Sequence, residues 1–264
     1  MSFYKVSHLS AGYGGKMVID SVSFQCEKGT ITGLLGANGS GKTTLLNALC
    51  NILPHKGECA LNGERLDKLS PRKMAQLISY IPQKSGISID ISVLEVVLMG
   101  FNPYLGLLEH PDKKMKERAI NALEWVGLKG MEHMNFQHLS QGQKQLCILA
   151  RTLINDASLF VFDEPESALD FKFRYLAMDI IKSLVRDNAS AIISLHDPTL
   201  ALNYCDTLLV LSEGKIKATL YPKRDSLEKM EKVLCEIYGE ICLTRCKNNN
   251  DHEFIIMLTN KEEP

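Results

Sequence analysis

No stretch of this 264-residue sequence approaches the roughly 20 consecutive apolar residues that crossing a bilayer requires, so the chain itself is read as soluble. Its opening, Met1-Ser2-Phe3-Tyr4-Lys5-Val6-Ser7-His8, lacks the charged-then-apolar order of a secretory signal. If the protein serves a membrane process, another chain must do the crossing. A basic surplus is missing too: the formal net charge is -1, and clusters such as Arg72-Lys73 and Lys113-Lys114 are too small to form a cationic face. Nucleic acid is therefore not an expected partner. The eight cysteines include no Cys-x-x-Cys pair, which removes the usual zinc and redox spacings and leaves reduced thiols in a cytosolic protein. The nearest pair, Cys242 and Cys246, reads as two residues of a small terminal strand region. No internal repeat and no long coiled-coil insertion interrupts the chain.

What is present is an ordinary globular composition, 45% hydrophobic and 23% charged, enough for one large domain or a domain with a subdomain. Residues 3–9 and 18–26 are β-rich, with turn signals at Gly12, Gly14 and Gly15, and are expected to be antiparallel strands. Thr30 to Leu35 is a short apolar strand, and Thr43 to Cys50 an apolar helix ending before Pro54. Ser70-Pro71 starts a helix expected to reach about Ile78. Residues 87–155 form a helix-rich block with helices at Ser92–Met99, Lys113–Val126 and Gln141–Leu153, read as an inserted helical subdomain. Ser158–Phe162 and Ser190–Ser194, separated by a helix from Phe171 to about Arg186, suit central strands of a parallel sheet. Lys247–Asp251 is expected to be a turn between two β-like stretches, with a mobile tail after Met257.

Between that strand and helix lies Gly36-Ala37-Asn38-Gly39-Ser40-Gly41-Lys42-Thr43-Thr44, the pattern Gly-x-x-x-x-Gly-Lys-Thr. Its glycines let backbone N–H groups turn inward to phosphate oxygens, and the following helix offers its positive end. Lys42 is placed to reach the β and γ phosphates, and the Thr43 hydroxyl to meet magnesium. Alone, such a loop fits a kinase, a GTPase or many ATPases.

Further motifs choose among these. Ser158-Leu159-Phe160-Val161-Phe162-Asp163-Glu164-Pro165 ends an apolar strand on two carboxylates, Leu139-Ser140-Gln141-Gly142-Gln143 opens a helix, and Gln83, Ser167-Ala168-Leu169-Asp170, His196 and Tyr13 complete the set. With these motifs the chain resembles the nucleotide-binding subunit of an ATP-binding cassette (ABC) transporter over about residues 3–220. The resemblance implies an α/β fold of the P-loop NTPase type: a RecA-like mixed sheet core with an antiparallel β subdomain and an inserted α-helical subdomain. It implies an ATPase using ATP and Mg2+, with Asp163, Gln83 and Thr43 on the magnesium side. Glu164 would take the proton of the attacking water, a division of labour that suits a metal-side carboxylate beside a free one. His196 would hold the γ phosphate, Gln83 would touch the attacking water, and Tyr13 would stack on adenine. Ser140, Gln141, Gly142, Gln143 and Asp170 would contact the ATP of a second copy in a head-to-tail dimer. Gln141 stands where the family most often has glycine, and Glu166 where threonine is usual.

The stretch Ile91 to Gly100, followed by Phe101-Asn102-Pro103-Tyr104-Leu105, is similar to importer ATPases for iron-siderophores, haem and cobalamin, which usually carry arginine where this chain has Phe101. The implied partners are a second copy, transmembrane permease subunits and an extracytoplasmic substrate-binding protein, with the chain at the cytoplasmic face of the membrane. Met99, Phe101, Tyr104 and Leu105 could form an apolar docking cleft for a permease helix or a helix packing stripe. Two other readings keep the motifs: a soluble cassette ATPase of repair, translation or cofactor assembly, and a nucleotide-gated interaction subunit with little hydrolysis. Residues 1–220 are read as the ATPase domain and 221–264 as a packing appendage without a ligand constellation.

Overall fold

Along β1 (Tyr4–Tyr13) inward and outward side chains alternate, with three irregularities in its register against the next strand, as in a strand with one face on a core. It pairs antiparallel with β2 (Lys16–Cys26), from Tyr4 opposite Cys26 to Tyr13 opposite Lys16. Gly14 and Gly15, at φ 55° and 81°, form the two-residue turn. Both strands thus run further than the spans 3–9 and 18–26, and Gly12 belongs to the ladder, opposite Met17. The computed structural model describes residues 3–83, 86–185, 188–247, 251 and 253–259. These divide into two units, one drawn from Met1–Asp67 and Ile192–Pro264, the other from Lys68–Ala191.

In the first unit, β3 (Ile31–Leu35) is buried along its whole length. It leads through the glycine-rich loop into α1 (Lys42–Leu49), whose Leu45 and Leu46 are fully buried. Each such leucine contributes about 2 kcal/mol of transfer free energy. β4 (His55–Leu61) and β5 (Glu64–Arg65) extend the antiparallel sheet in the order β2-β1-β4-β5. The Tyr4 hydroxyl donates to the Leu49 carbonyl over 2.9 Å, so a buried phenol satisfies an acceptor at the end of α1.

The second unit opens on α2 (Pro71–Leu77), where the Ser70 hydroxyl accepts from the Lys73 N–H and proline takes the first turn. The helix stops one residue short of the expected Ile78, whose backbone is extended and begins β6 (Ile78–Ile81). α3 (Val93–Leu98), α4 (Lys113–Trp125) and α5 (Gln141–Leu153) then pack against one another. β7 (Leu159–Asp163), buried throughout, lies parallel to β6 with Ile78 opposite Leu159. After α6 (Phe171–Leu184), β8 (Ser190–Ser194) is again wholly buried. The Arg186 end expected for α6 lies outside the described residues.

Back in the first unit, α7 (Pro198–Tyr204) is capped by Asp197. β9 (Thr207–Ser212) runs parallel to β3 and antiparallel to β10 (Lys215–Leu220), giving a mixed sheet. The chain ends in α8 (Leu227–Tyr238) and a hairpin of β11 (Ile241–Lys247) and β12 (Glu253–Thr259). Asn203 of α7 donates to the Ile255 carbonyl and accepts from the Ile255 N–H, both at 2.8 Å, and Glu231 of α8 accepts from the Leu243 N–H at 2.8 Å. Side chains thereby satisfy outward backbone groups that a two-stranded sheet leaves open. Leu258 and Thr259, expected in a mobile tail, belong to β12, and residues 248–250 of the expected turn lie outside the described residues.

Among the described residues no helix is long and apolar enough to cross a membrane, and no group of three or more His, Cys, Asp or Glu is placed to hold a metal. None of the eight cysteines is joined in a disulfide. Burial pushes the Cys26 and Cys147 thiols up to about 12 and Cys59 to about 11, far from the thiolate form that reacts. A thiol titration of the native protein at pH 8 is expected to modify only the half-buried Cys235, Cys242 and Cys246, and all eight after denaturation. Rapid native modification of a fourth would contradict this packing.

Candidate functional site

In the first unit the glycine-rich loop sits where β3 hands over to α1. At Gly36 a Cβ would lie 2.4 Å from the Leu211 carbonyl oxygen and 2.6 Å from Ser40 Oγ. Gly41 holds φ 105°, outside the reach of ordinary side chains, with Ile19 Cδ1 2.7 Å from where a Cβ would stand. The loop is pinned by Ser40 N–H to the Ala37 carbonyl at 3.1 Å and by Gly214 N–H to the Ser40 carbonyl at 3.3 Å. Ser40 Oγ is buried and has no hydrogen-bond partner among the described residues. Lys42 is only 6% exposed, yet its ammonium is held at the loop itself, donating to the Gly36 carbonyl at 2.9 Å and the Ala37 carbonyl at 3.4 Å. Around it Ala37, Asn38, Gly39 and Thr43 are exposed and Thr44 is buried.

His196 is exposed and follows Leu195, whose N–H donates to the Leu34 carbonyl at 3.3 Å. That bond sets His196 level with the end of β3, where the loop departs. The next residue, Asp197, is taken up in capping α7 through the Thr199 and Leu200 N–H groups. Tyr13 is 52% exposed at the tip of the β1–β2 hairpin.

In the second unit β7 delivers Asp163, 1% exposed, and Glu164, also buried, at its carboxyl end. Glu164 is one of few non-glycine residues at positive φ, 49°, a conformation that costs about 1 kcal/mol or more and recurs at functional sites. The Gln83 side-chain amide donates to Glu164 Oε2 over 2.6 Å, joining residues 81 positions apart. Glu166 is buried just beyond.

Ser140 caps α5 in a reciprocal box: its hydroxyl accepts from the Gln143 N–H at 3.2 Å and its own N–H donates to Gln143 Oε1 at 2.9 Å. Ser140, Gly142, Gln143 and Asp170 line one cavity of about 420 Å3, walled also by Phe173, while Gln141 is exposed on the first turn. Asp170 begins α6 without a side-chain cap bond. At Gly142 an added Cβ would meet Ala168 O at 3.5 Å and Leu169 Cδ2 at 3.7 Å, ordinary contact distances. The fold of this chain therefore does not require glycine there.

Of the two readings of the apolar residues around Phe101, a docking cleft or a packing stripe, the structure favours packing for Phe101 itself. Phe101 is 2% exposed and lies under the Arg118 guanidinium, 5.1 Å from its ring centroid, so it offers nothing to a docking partner. The loop that follows is held from α2, with Arg72 donating to the Pro103, Tyr104 and Leu105 carbonyls and Gln76 to Pro103. The exposed apolar residues nearby are Leu107 and Leu108, one step beyond the stretch singled out from sequence. Sequence reading also passed over Phe173 as a wall of the Ser140 cavity. Its place three residues after Asp170, on the first turn of α6, was the available signal.

The sequence pattern of a family described as "ABC transporter" matches residues 19–167. The chain is 36% identical over 215 residues to the Helicobacter pylori protein named "Probable iron chelatin transport ATP-binding protein", covering 80% of this chain and 84% of that one. It is 30% identical over 243 residues to a hemin import ATP-binding protein of Aliivibrio fischeri, covering 90% and 91%. Among solved structures, a chain of an ABC transporter in an inward-facing conformation superposes with a TM-score of 0.80 at 23% identity, covering 98% of this chain and 99% of that one, a likeness of fold.

The two glycines make opposite demands. Gly41→Ala is expected to destabilise the protein by about 1–3 kcal/mol through its backbone angle. Gly142→Ala is expected to be neutral or to stabilise it by up to about 1 kcal/mol. Urea denaturation of both variants checks this, and equal losses would refute it.

Proposed function

The chain belongs to the ABC transporter family, whose cassettes bind and hydrolyse ATP, and on that premise we propose that it powers an importer for iron chelates, haem, cobalamin or a related metal chelate. The observation that carries the catalytic part is Glu164, buried at the end of β7 in a strained backbone and bonded by Gln83 at 2.6 Å. The cargo class rests on the names of the two relatives and on the similarity of residues 91–105 to importer ATPases.

In this reading the backbone of Gly36 to Thr44 and the Lys42 ammonium hold the phosphates, and Tyr13 stacks on the adenine. Magnesium suits the residues present: Thr43 and Asp163 are hard oxygen donors, and a cation that keeps its waters and binds through substrate phosphates needs no cluster of protein ligands. Bound with the triphosphate, it would neutralise charge on the transferring phosphoryl group. Glu164 accepts the proton of the attacking water. Gln83 fixes the orientation of that carboxylate, and His196 holds the γ phosphate.

Ser140, Gln141, Gly142, Gln143 and Asp170 serve the ATP of a second copy. Gly142 supports this, since nothing inside the chain needs its missing side chain. ATP that meets both copies only when they close favours the closed dimer by its differential affinity, and that difference drives a transmembrane permease at the cytoplasmic membrane face. An extracytoplasmic binding protein supplies the cargo.

Glu164→Gln is expected to lower the rate of phosphate release at least 100-fold while ATP still binds. Gly142→Ala is expected to lower it more than tenfold with no loss of stability. Undiminished hydrolysis by the first variant would reject Glu164 as the base, and by the second would reject the contact across copies. For coupling, the protein is expected to co-purify with a polytopic membrane protein and to hydrolyse ATP faster in vesicles when a metal-chelate binding protein is added. Full activity with no membrane partner would favour a soluble cassette instead.

A further inference from the structure

His196 stands one residue before Asp197, the N-cap of α7, so where α7 lies decides where His196 lies. With seven residues, about two turns, α7 is too short to hold its shape and place unless other elements pack on it. It packs against β3, which leads into the glycine-rich loop, and against β12 of the C-terminal hairpin, all within the first unit.

β12 grips the helix at two points. Thr199 and Asn203 are one helical turn apart and share a face of α7. Asn203 donates to the Ile255 carbonyl and accepts from the Ile255 N–H, both at 2.8 Å, while Thr199 Oγ1 accepts from the Met257 N–H at 3.4 Å. The two side chains are also tied to each other, since Asn203 Nδ2 donates to the Thr199 carbonyl at 2.6 Å. Hydrogen bonds are directional where apolar packing is not, so attachments one turn apart fix both the height of the helix and its rotation about its axis.

The anchor is itself firm. α8 packs against β11, and Met230, Leu234, Ile241, Leu243 and Ile255 are buried. The last residue of α8, Tyr238, comes beside the cap of α7. Burial, and then the neighbouring Asp197 carboxylate, push its phenol up to about 12, so it stays protonated there. The C-terminal segment therefore meets α7 at its cap, next to His196, and along its length.

We propose that Thr199 and Asn203 are positioning residues for His196: by fastening α7 to the C-terminal hairpin they hold the imidazole in register with the glycine-rich loop, which gives residues 221–264 a part in hydrolysis. The proposal rests on the reading that His196 holds the γ phosphate. A misplacement of about 1 Å can cost a reaction about a hundredfold while the contacts that bind the nucleotide stay in place. Loss of the fastening therefore lowers kcat and leaves the half-saturating ATP concentration unchanged.

Thr199→Val with Asn203→Leu removes the side-chain bonds to β12 at nearly constant volume. In single-turnover hydrolysis this double variant is expected to be about tenfold slower than the parent, with the same half-saturating ATP concentration. Thr199→Ser, which keeps the hydroxyl, should stay close to the parent rate. Lys229→Ala, which breaks an ion pair to Asp225 inside the C-terminal segment, should leave the rate unchanged. His196→Ala separates positioning from a general loosening: alone it is expected to slow hydrolysis by about tenfold or more, and adding the double substitution should then cost less than about twofold. If the double variant melts below the assay temperature, Asn203→Ala alone, expected to lose about threefold, serves in the same comparison. An equal loss with and without His196, or no loss in the native chain, would overturn the proposal and leave the role of His196 standing. Undiminished hydrolysis by His196→Ala would overturn both.

Discussion

At Gly36 the backbone of the glycine-rich loop passes so near the Leu211 carbonyl that there is no space for a side chain, and five residues later Gly41 turns at φ 105° to start a helix. This passage from strand to helix is the constraint on which the first unit depends. It requires β3 to be held rigidly, which its full burial beside β9 provides, and α1 to be anchored at its far end, where Leu49 receives the Tyr4 hydroxyl. The result is a loop with Ala37, Asn38 and Gly39 exposed and the Lys42 ammonium held against its backbone. Placing an ammonium where only 6% of the residue is exposed is costly unless oxygen atoms surround it, and the Gly36 and Ala37 carbonyls supply them.

The second unit solves a related problem with opposite charge. β7 is apolar until its last residue, so it can run through the interior and still present Asp163 and Glu164 at its end. The left-handed backbone at Glu164 sends the chain sharply away from the strand direction immediately after Asp163. Two adjacent acids are thereby given different surroundings, and only the second is reached by the Gln83 amide. Different surroundings are what two carboxylates need in order to perform different tasks.

The departures from the family pattern are local. Phe101 is absorbed into the core under Arg118, Gln141 points to solvent on the first turn of α5, and Glu166 is buried beyond the strand end. None displaces Ser140 or Gly142, because the capping box between Ser140 and Gln143 fixes that turn without Gln141. Residues 221–264 belong to the first unit: Asn203 of α7 ties β12 to it, and within the segment Glu231 of α8 holds β11.

Local chemistry made much of this readable before any coordinates. Ser140 with Gln143 marks the start of α5 within four residues, Ser70-Pro71 does the same for α2, and the glycine pattern marks the loop, since caps and φ angles depend on neighbours in the chain. β4 escaped because His55 to Leu61 carries charges in place of a clear alternation, and only pairing with β1 makes it a strand. Likewise nothing local announces that Gln83 will hold Glu164, that Phe101 will be covered, or that Phe171 will stay in water. The sequence by itself marked the residues proposed to bind and cleave a triphosphate, because each motif is a short-range pattern. Tertiary structure alone decided which of them touch and which faces remain open, because burial and long-range hydrogen bonds exist only once distant segments are packed together.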